Sequence, residues 1–380
     1  MGKLRNGKAP GICGISGELL KYGGPAVVSW LAQIFKGIWA SGCVPDDWRK
    51  GIILPFYKGK GSRQECKNYR GITLLSCPGK VFAHLILDRV KDKLLSVRRP
   101  EQSGFTPKRS TVDRIALLNL LLQGRREHSR PLWIAYVDLR AAFDSVDRTA
   151  LWLLLQSIGI PPKLIDMLKD LYTNTVSCVR LNGALSDWFH FGSGVRQGCT
   201  VAPSLFLLPV DWILHRVIHR GFLGATLGTE IFTDLDYADD VALLAEMLEV
   251  LLLALDVLND EARPLGLEVN WQKTKIQSTI DSATTPSSVY ISGNHVEVVE
   301  SFVYLGSEIH SSGSSEPEVL RRIGYTKSCF NLFNREIWLS SIFLLTKVQL
   351  YRTYIQPVLL YGSETSVSYT HLTLPTKRIV

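Results

Sequence analysis

The sequence predicts an α+β protein, with helices and short strands interleaved along its 380 residues. Three observations carry that expectation. Long segments such as 25–41 (PAVVSWLAQIFKGIWAS) and 203–219 repeat apolar residues at helical spacing. Short apolar runs, GIILPFY at 51–57 and WIAYVDL at 133–139, have the length and β-branched content of strands. Two further runs, IFTDLDY and VALLAE, are separated only by Ala-Asp-Asp, a hairpin spacing.

The remaining elements follow in order. The loop KGKGSRQECKNYRG, rich in Gly, Lys and Arg, leads from the first strand to helices at about 78–99 and 110–128. After the strand at 133–139 come helical segments near 147–157 and 161–173, then a hairpin of VSCVRLN and DWFHF turning at Asn182-Gly183. The helix 203–219 precedes the Asp-bearing hairpin. A helix at 247–263 ends near Pro264 and Gly266. Short strands are expected at 275–280, 289–292, 296–299 and 302–305, and helices at 316–338 and 344–361 form a basic, aromatic C-terminal element. No internal repeat is present. The last fifteen residues, SVSYTHLTLPTKRIV, share no pattern with what precedes them and are expected to be a non-native tail.

Apolar residues make up 46% and charged residues 21%, a globular composition that excludes a largely disordered chain. The net charge of +8 is uneven: residues 1–110 hold 20 Lys and Arg against 7 Asp and Glu, a net of +13, while the rest of the chain nets −5. That asymmetry suggests a polyanion-binding lobe joined to a carboxylate-bearing one, although a solvated basic face would give the same count. Seven scattered cysteines without a CxxC pair argue against a disulfide scaffold or structural zinc and for reduced thiols. The start lacks a signal-peptide h-region, and the most apolar stretch, Val241 to Leu258, contains Glu246, Glu249 and Asp256, so no membrane association is expected. An intracellular protein is the expectation.

The chemistry sits in the acids. In Trp133-Ile134-Ala135-Tyr136-Val137-Asp138 an apolar strand ends in a carboxylate, with Ile134, Tyr136 and Asp138 on one face and Ala135 and Val137 on the other. A carboxylate there is costly unless paired or bound to a cation. Asp239 and Asp240 follow Tyr237-Ala238 between two apolar runs. Taken alone they are also good turn residues. Taken with Asp138, they form three carboxylates able to hold a pair of divalent ions about 3.5–4 Å apart. Mg²⁺ suits such oxygen ligands and keeps positions open for phosphates. The chemistry this suits is phosphoryl transfer to a nucleic-acid 3′-hydroxyl.

Three segments in this order, VDLRAAFDSVDR (137–148), SGVRQGCTVAPSLF (193–206) and DLDYADDVALLAE (234–246), resemble the palm motifs of reverse transcriptases. NGKAPGICGISGELLK (6–21), NYRGITLLS (68–76), QSGFTPKRSTVDRI (102–115), LGLEVNWQKTK (265–275) and VYLGSEI (303–309) resemble the non-LTR, LINE-type branch. The resemblance covers about 1–365. It implies a right-hand polymerase fold: fingers over 1–130, a palm with an antiparallel sheet over 131–300 and a thumb-like helical region over 301–365.

It also implies residue roles. Asp138 and Asp239 match the two principal metal-binding aspartates and Asp240 the third acid, with two Mg²⁺ ions, or Mn²⁺ as the alternative. Asp144 and Asp147 are expected to cap or face solvent. Phe143 matches the aromatic steric gate that leaves no room for a 2′-hydroxyl, although a Phe here is otherwise commonly core. Gln197 and Gly198 match the segment against the incoming nucleotide, with Thr200-Val201-Ala202 where relatives commonly carry Pro-Leu-Ser. Arg70 matches the arginine that contacts the triphosphate, assisted by Lys58 or Lys60, and a solvated basic loop is the alternative. Lys273 matches a lysine proposed to protonate pyrophosphate, with Lys275 equally within reach. Arg321, Arg322, Lys327, Arg335, Lys347 and Arg352 resemble a thumb gripping the primer–template duplex.

The resemblance therefore implies RNA-directed DNA polymerase activity on an RNA template, a DNA primer and deoxynucleoside triphosphates. It implies action in the nucleus, and an endonuclease on another part of a longer polyprotein. A group II intron-like reverse transcriptase and a catalytically silent nucleic-acid-binding remnant of a decayed element are the open alternatives.

Overall fold

In the computed structural model, which describes residues 1–2, 4–220, 224–280 and 285–365, the run Trp133–Val137 is a strand buried at all five positions. The expected tail at 366–380 lies outside the described residues. Period-two alternation does not divide this strand into a wet and a dry face, because both are covered. It is the centre of a six-stranded sheet. Asp240–Ala245 pairs antiparallel on one side, with Val241 opposite Val137, and Lys275–Ser278 antiparallel on the other, with Lys275 opposite Tyr136. Asp234–Tyr237 completes the hairpin beyond Asp240–Ala245. The expectation of an antiparallel sheet holds for these four strands. It fails at the next pair, where Lys275–Ser278 runs parallel to Asn294–Val298.

The residues form two compact units that interleave along the sequence. One comprises Met1–Arg99, Arg140–Ile213 and Ala262–Glu268; the other comprises Pro100–Leu139, Leu214–Glu261 and the described residues from Val269 onward. The second unit contains the six-stranded sheet. The helix Thr111–Glu127 begins with a capping box between Ser110 and Asp113. It contributes Ile115, Leu118, Leu121 and Leu122 to a core with Leu132, Ile134, Tyr136, Leu235, Leu244 and Tyr304. Two buried phenols fix strands within it: Tyr136 donates to Gln277 Oε1 at 2.8 Å, and Tyr304 donates to the Leu235 carbonyl at 2.9 Å.

The first unit is built on a smaller sheet. Lys50–Tyr57 pairs antiparallel with Tyr69–Leu75 and parallel with Val176–Leu181. Here the structure departs from the sequence expectation twice. Residues 69–75, read as loop and connection, form a strand, because extended pairing satisfies backbone groups that a Gly- and Lys-rich composition does not advertise. The strand at 51–57 is not a buried one: only Gly51 and Ile52 are buried, and Phe56 is exposed. The hairpin turn at Asn182-Gly183 is where expected, with both residues at positive φ. Among the described residues, no helix is long and apolar enough to cross a membrane.

Candidate active site

Register brings the acids together. Val137 and Val241 are paired, so Asp138 and Asp240 leave adjacent strands at the same sheet end, and Asp239 occupies the two-residue turn with Ala238. Asp239 and Asp240 are exposed and Asp138 is half-buried. Loss of water around the Asp240 carboxyl at the sheet end, reinforced by the charges of Asp239 and Asp138, pushes it up to about 6. A carboxylate crowded by two others at an open sheet end is a site in want of positive charge.

Part of that charge comes from the chain. The Lys273 ammonium stands 3.4 Å from Asp138 Oδ2, while Lys275 is engaged by Glu297 at 2.8 Å. Geometry thus separates two lysines that sequence left equivalent. The turn carrying Lys273 is tied to the same strand end: Asn270 N donates to the Asp138 carbonyl at 2.8 Å, and Thr274 N donates to the Asn270 carbonyl at 2.9 Å. The donor set, hard carboxylate oxygens at an open strand end, fits Mg²⁺ or Mn²⁺ in kind. Among the described residues, no three His, Cys, Asp or Glu side chains converge on a single point as a closed metal cage would. A site completed by substrate phosphates needs fewer protein ligands.

The nucleotide-binding candidates lie in the other unit. Phe143 stacks on the fully buried Phe206, with ring centroids 4.2 Å apart and planes at 20°. That packing holds one face of the ring and leaves the residue half-buried. Asp144 is exposed, as expected, and in addition accepts from Gln197 Nε2 through both carboxylate oxygens at 2.9 Å; desolvation raises its proton affinity and the Gln197 bond opposes the rise. Asp147 caps the helix Arg148–Ser157, as expected, by accepting from Ala150 N.

Gly198 needs its missing side chain twice over. Its φ is +87°, and a Cβ there would lie 2.7 Å from the Thr73 carbonyl oxygen. A cavity of about 160 Å³ beside it is lined by Gly71, Thr73, Asp144, Ser193 and Gln197 among others. Arg70 is exposed on the strand Tyr69–Leu75, opposite Phe56. Lys58 is also exposed, but its ammonium donates to the Lys67 carbonyl at 2.8 Å, so the loop itself holds it. Lys60 is exposed.

Three residues that sequence reasoning gave no role support these positions. Arg196 donates to the carbonyls of Trp48 (2.6 Å) and Leu171 (3.2 Å), anchoring the Gln197-Gly198 segment. Arg148 donates to the carbonyls of Gly194 (2.9 Å) and Tyr172 (2.7 Å). Gln102 accepts from Ala238 N beside the acidic turn at 2.8 Å. The signal available for all three was only their place inside the matching segments. The C-terminal basic residues divide. Arg321 and Arg322 are bound by Glu318 and the Gly306 carbonyl, and Lys347 by the Trp338 and Ser340 carbonyls. Lys327, Arg335 and Arg352 are exposed.

Residues 58–309 match the family described as reverse transcriptase (RNA-dependent DNA polymerase). The Transposon TX1 uncharacterized 149 kDa protein of Xenopus laevis is 30% identical over 277 residues, 71% of this chain and 21% of that protein. The Pol polyprotein from the type-1 retrotransposable element R2 of Popillia japonica is 24% identical over 337 residues, 84% of this chain and 45% of the relative. The chain therefore spans less than half the length of these curated relatives. A telomerase structure from Candida tropicalis, solved in complex with a fragment of telomeric RNA, aligns with a TM-score of 0.48 at 14% identity, covering 90% of this chain and 57% of that one. On the family match and the named relatives, the chain belongs to the reverse transcriptases of non-LTR retrotransposons, a family of divalent-metal-dependent RNA-directed DNA polymerases with the right-hand fold.

Proposed function

We infer that this chain extends a DNA primer on an RNA template by nucleotidyl transfer from deoxynucleoside triphosphates, using two Mg²⁺ ions. The observation that carries this reading is the register that sets Asp138 beside Asp240 at one sheet end, with Asp239 on the turn between its strands. Bound at those carboxylates, the ions supply charge to the reacting phosphate and acidify the primer hydroxyl. The chain's own groups do the rest. Lys273, close to Asp138, is placed to give a proton to departing pyrophosphate or to balance its charge. Arg70 and Lys58 bind phosphate oxygens, the former as a planar fork. Phe143 excludes a 2′-hydroxyl, and Gln197 and Gly198 lie against the nucleotide.

Within this reading, 1–130 serve as fingers, 131–300 as palm and 301–365 as thumb, with Lys327, Arg335 and Arg352 as backbone contacts. An endonuclease is expected elsewhere on a longer polyprotein, and the reaction takes place in the nucleus. Primer extension on poly(rA)/oligo(dT) with Mg²⁺ tests the assignment. Extension by the wild type and its loss, by roughly 100-fold or more, in Asp239→Asn is the expected result. A folded wild-type chain that binds the hybrid without extending it would instead favour the silent remnant.

A further inference from the structure

The turn that carries Asp239 is a strained one. Ala238, its first residue, has φ +62°, a left-handed conformation that an alanine adopts only when its surroundings impose it. The restraint comes from a distant stretch, Gln102-Ser103-Gly104. Gln102 is 1% exposed, and its side chain spans the turn residue. Oε1 accepts from Ala238 N at 2.8 Å and from Gly104 N at 2.7 Å, and Nε2 donates to the Ala238 carbonyl at 3.4 Å. Both backbone groups of Ala238 are thereby held by one amide.

The backbone adds to this. Gln102 forms a parallel bridge with Asp236, and Ser103 N donates to the Asp236 carbonyl at 2.9 Å. Gly104 approaches so closely that a Cβ on it would collide with the Ala238 amide nitrogen and Cα. The buried Arg114 fixes the stretch from behind, donating to Ser103 Oγ at 2.6 Å and to the Pro100 carbonyl at 3.2 Å.

We propose that Gln102 is a positioning residue for catalysis, whose buried amide holds Ala238 in its left-handed conformation and so sets where Asp239 and Asp240 project. This rests on the polymerase reading of the same carboxylates. The buried Gln102 amide bonds to backbone groups of Ala238 and Gly104, so on this proposal its removal displaces the acids without altering nucleotide binding. Displacement of a reacting group by about 1 Å costs up to roughly 100-fold in rate.

The test is a double-mutant cycle on the full chain, pairing Gln102→Leu, which keeps the volume and loses all three hydrogen bonds, with Ala238→Gly, which takes a positive φ without strain. In primer extension, Q102L is expected to lower kcat about 10–100-fold, with KM for nucleotide and affinity for primer–template within about twofold of wild type. In the A238G background the same substitution is expected to cost markedly less. Should Q102L fail to fold, Gln102→Asn takes its place, since the shorter amide cannot span both Ala238 groups. Unchanged kcat in a folded Gln102 variant, a loss expressed in KM alone, or an equal loss in both backgrounds would each overturn the proposal. A wild-type chain without polymerase activity would bring down the functional reading as well, and is distinguished by its inactivity before any substitution.

Discussion

At the scale of single residues, the role proposed for Phe143 as a steric filter builds on its packing. Its stack on Phe206 holds the ring in place, and rigidity is what a steric filter needs. Phe143→Ala is expected to relax discrimination against ribonucleotides by about tenfold or more, read as the ratio of kcat/KM for ribo- and deoxynucleotides. An active variant with unaltered ratios would return Phe143 to the core. Arg70, exposed on its strand, invites a different measurement: Arg70→Ala is expected to raise KM for nucleotide several-fold while primer–template affinity is little changed. The reverse pattern would make it a solvated or template-binding residue.

At the scale of elements, the segment 193–200 shows how a loop is held to a fixed path. Arg196 ties it to two carbonyls, and Gly198 passes the Thr73 carbonyl where no side chain fits. Gly198→Ala combines that clash with an unfavourable φ, and a loss of about 1–3 kcal/mol in urea unfolding is expected, together with weaker nucleotide binding. Stability and KM equal to wild type would show that the path is not fixed by this contact. The helix Thr111–Glu127 is held at its far end by another buried arginine. Arg125, 2% exposed, donates to Glu246 at 2.7 Å and to the Pro131 carbonyl at 2.6 Å. The Arg125 bond, joined by donors from Thr226 and opposed by desolvation, holds the Glu246 carboxyl down at about 2.

The sign of the resulting pH dependence follows directly. A carboxyl lowered by folding stabilises the native state above its unfolded value of about 4.3, and that contribution fades as pH falls towards 2. Glu246→Gln is therefore expected to be less stable than wild type at pH 7, with the difference shrinking in urea titrations at about pH 3. A gap that stays constant or widens on acidification would contradict the pairing. The Glu246 side chain is 41% exposed, so solvent screens the pair and the effect is modest.

For the molecule as a whole, the uneven charge bears on the proposed binding of nucleic acid. The net of +13 over residues 1–110 predicts that affinity for a primer–template hybrid falls steeply and log-linearly between about 50 and 200 mM salt. Fluorescence anisotropy of a labelled hybrid measures this, and a flat dependence would leave the basic residues as a merely solvated face.

Amino-acid order alone determined what local rules can express. Helical periodicity located the long helices, the Asn182-Gly183 pair marked its hairpin, and an apolar strand ending in Asp138 followed by an Asp-Asp hairpin identified the acids. Strand pairing lay beyond it, because the pairing of Val137 with Val241, 104 positions on in the chain, is set by burial of both faces of the central strand. The extended run Tyr69–Leu75 likewise takes its conformation from partners far away. The same holds for side chains. Whether Lys273 or Lys275 reaches Asp138, that Gln197 binds Asp144, and that Gln102 grips Ala238 are matters of a few ångströms. Distances of that kind exist only after the chain has folded, since hydrogen bonds and ion pairs act over separations that sequence spacing does not encode.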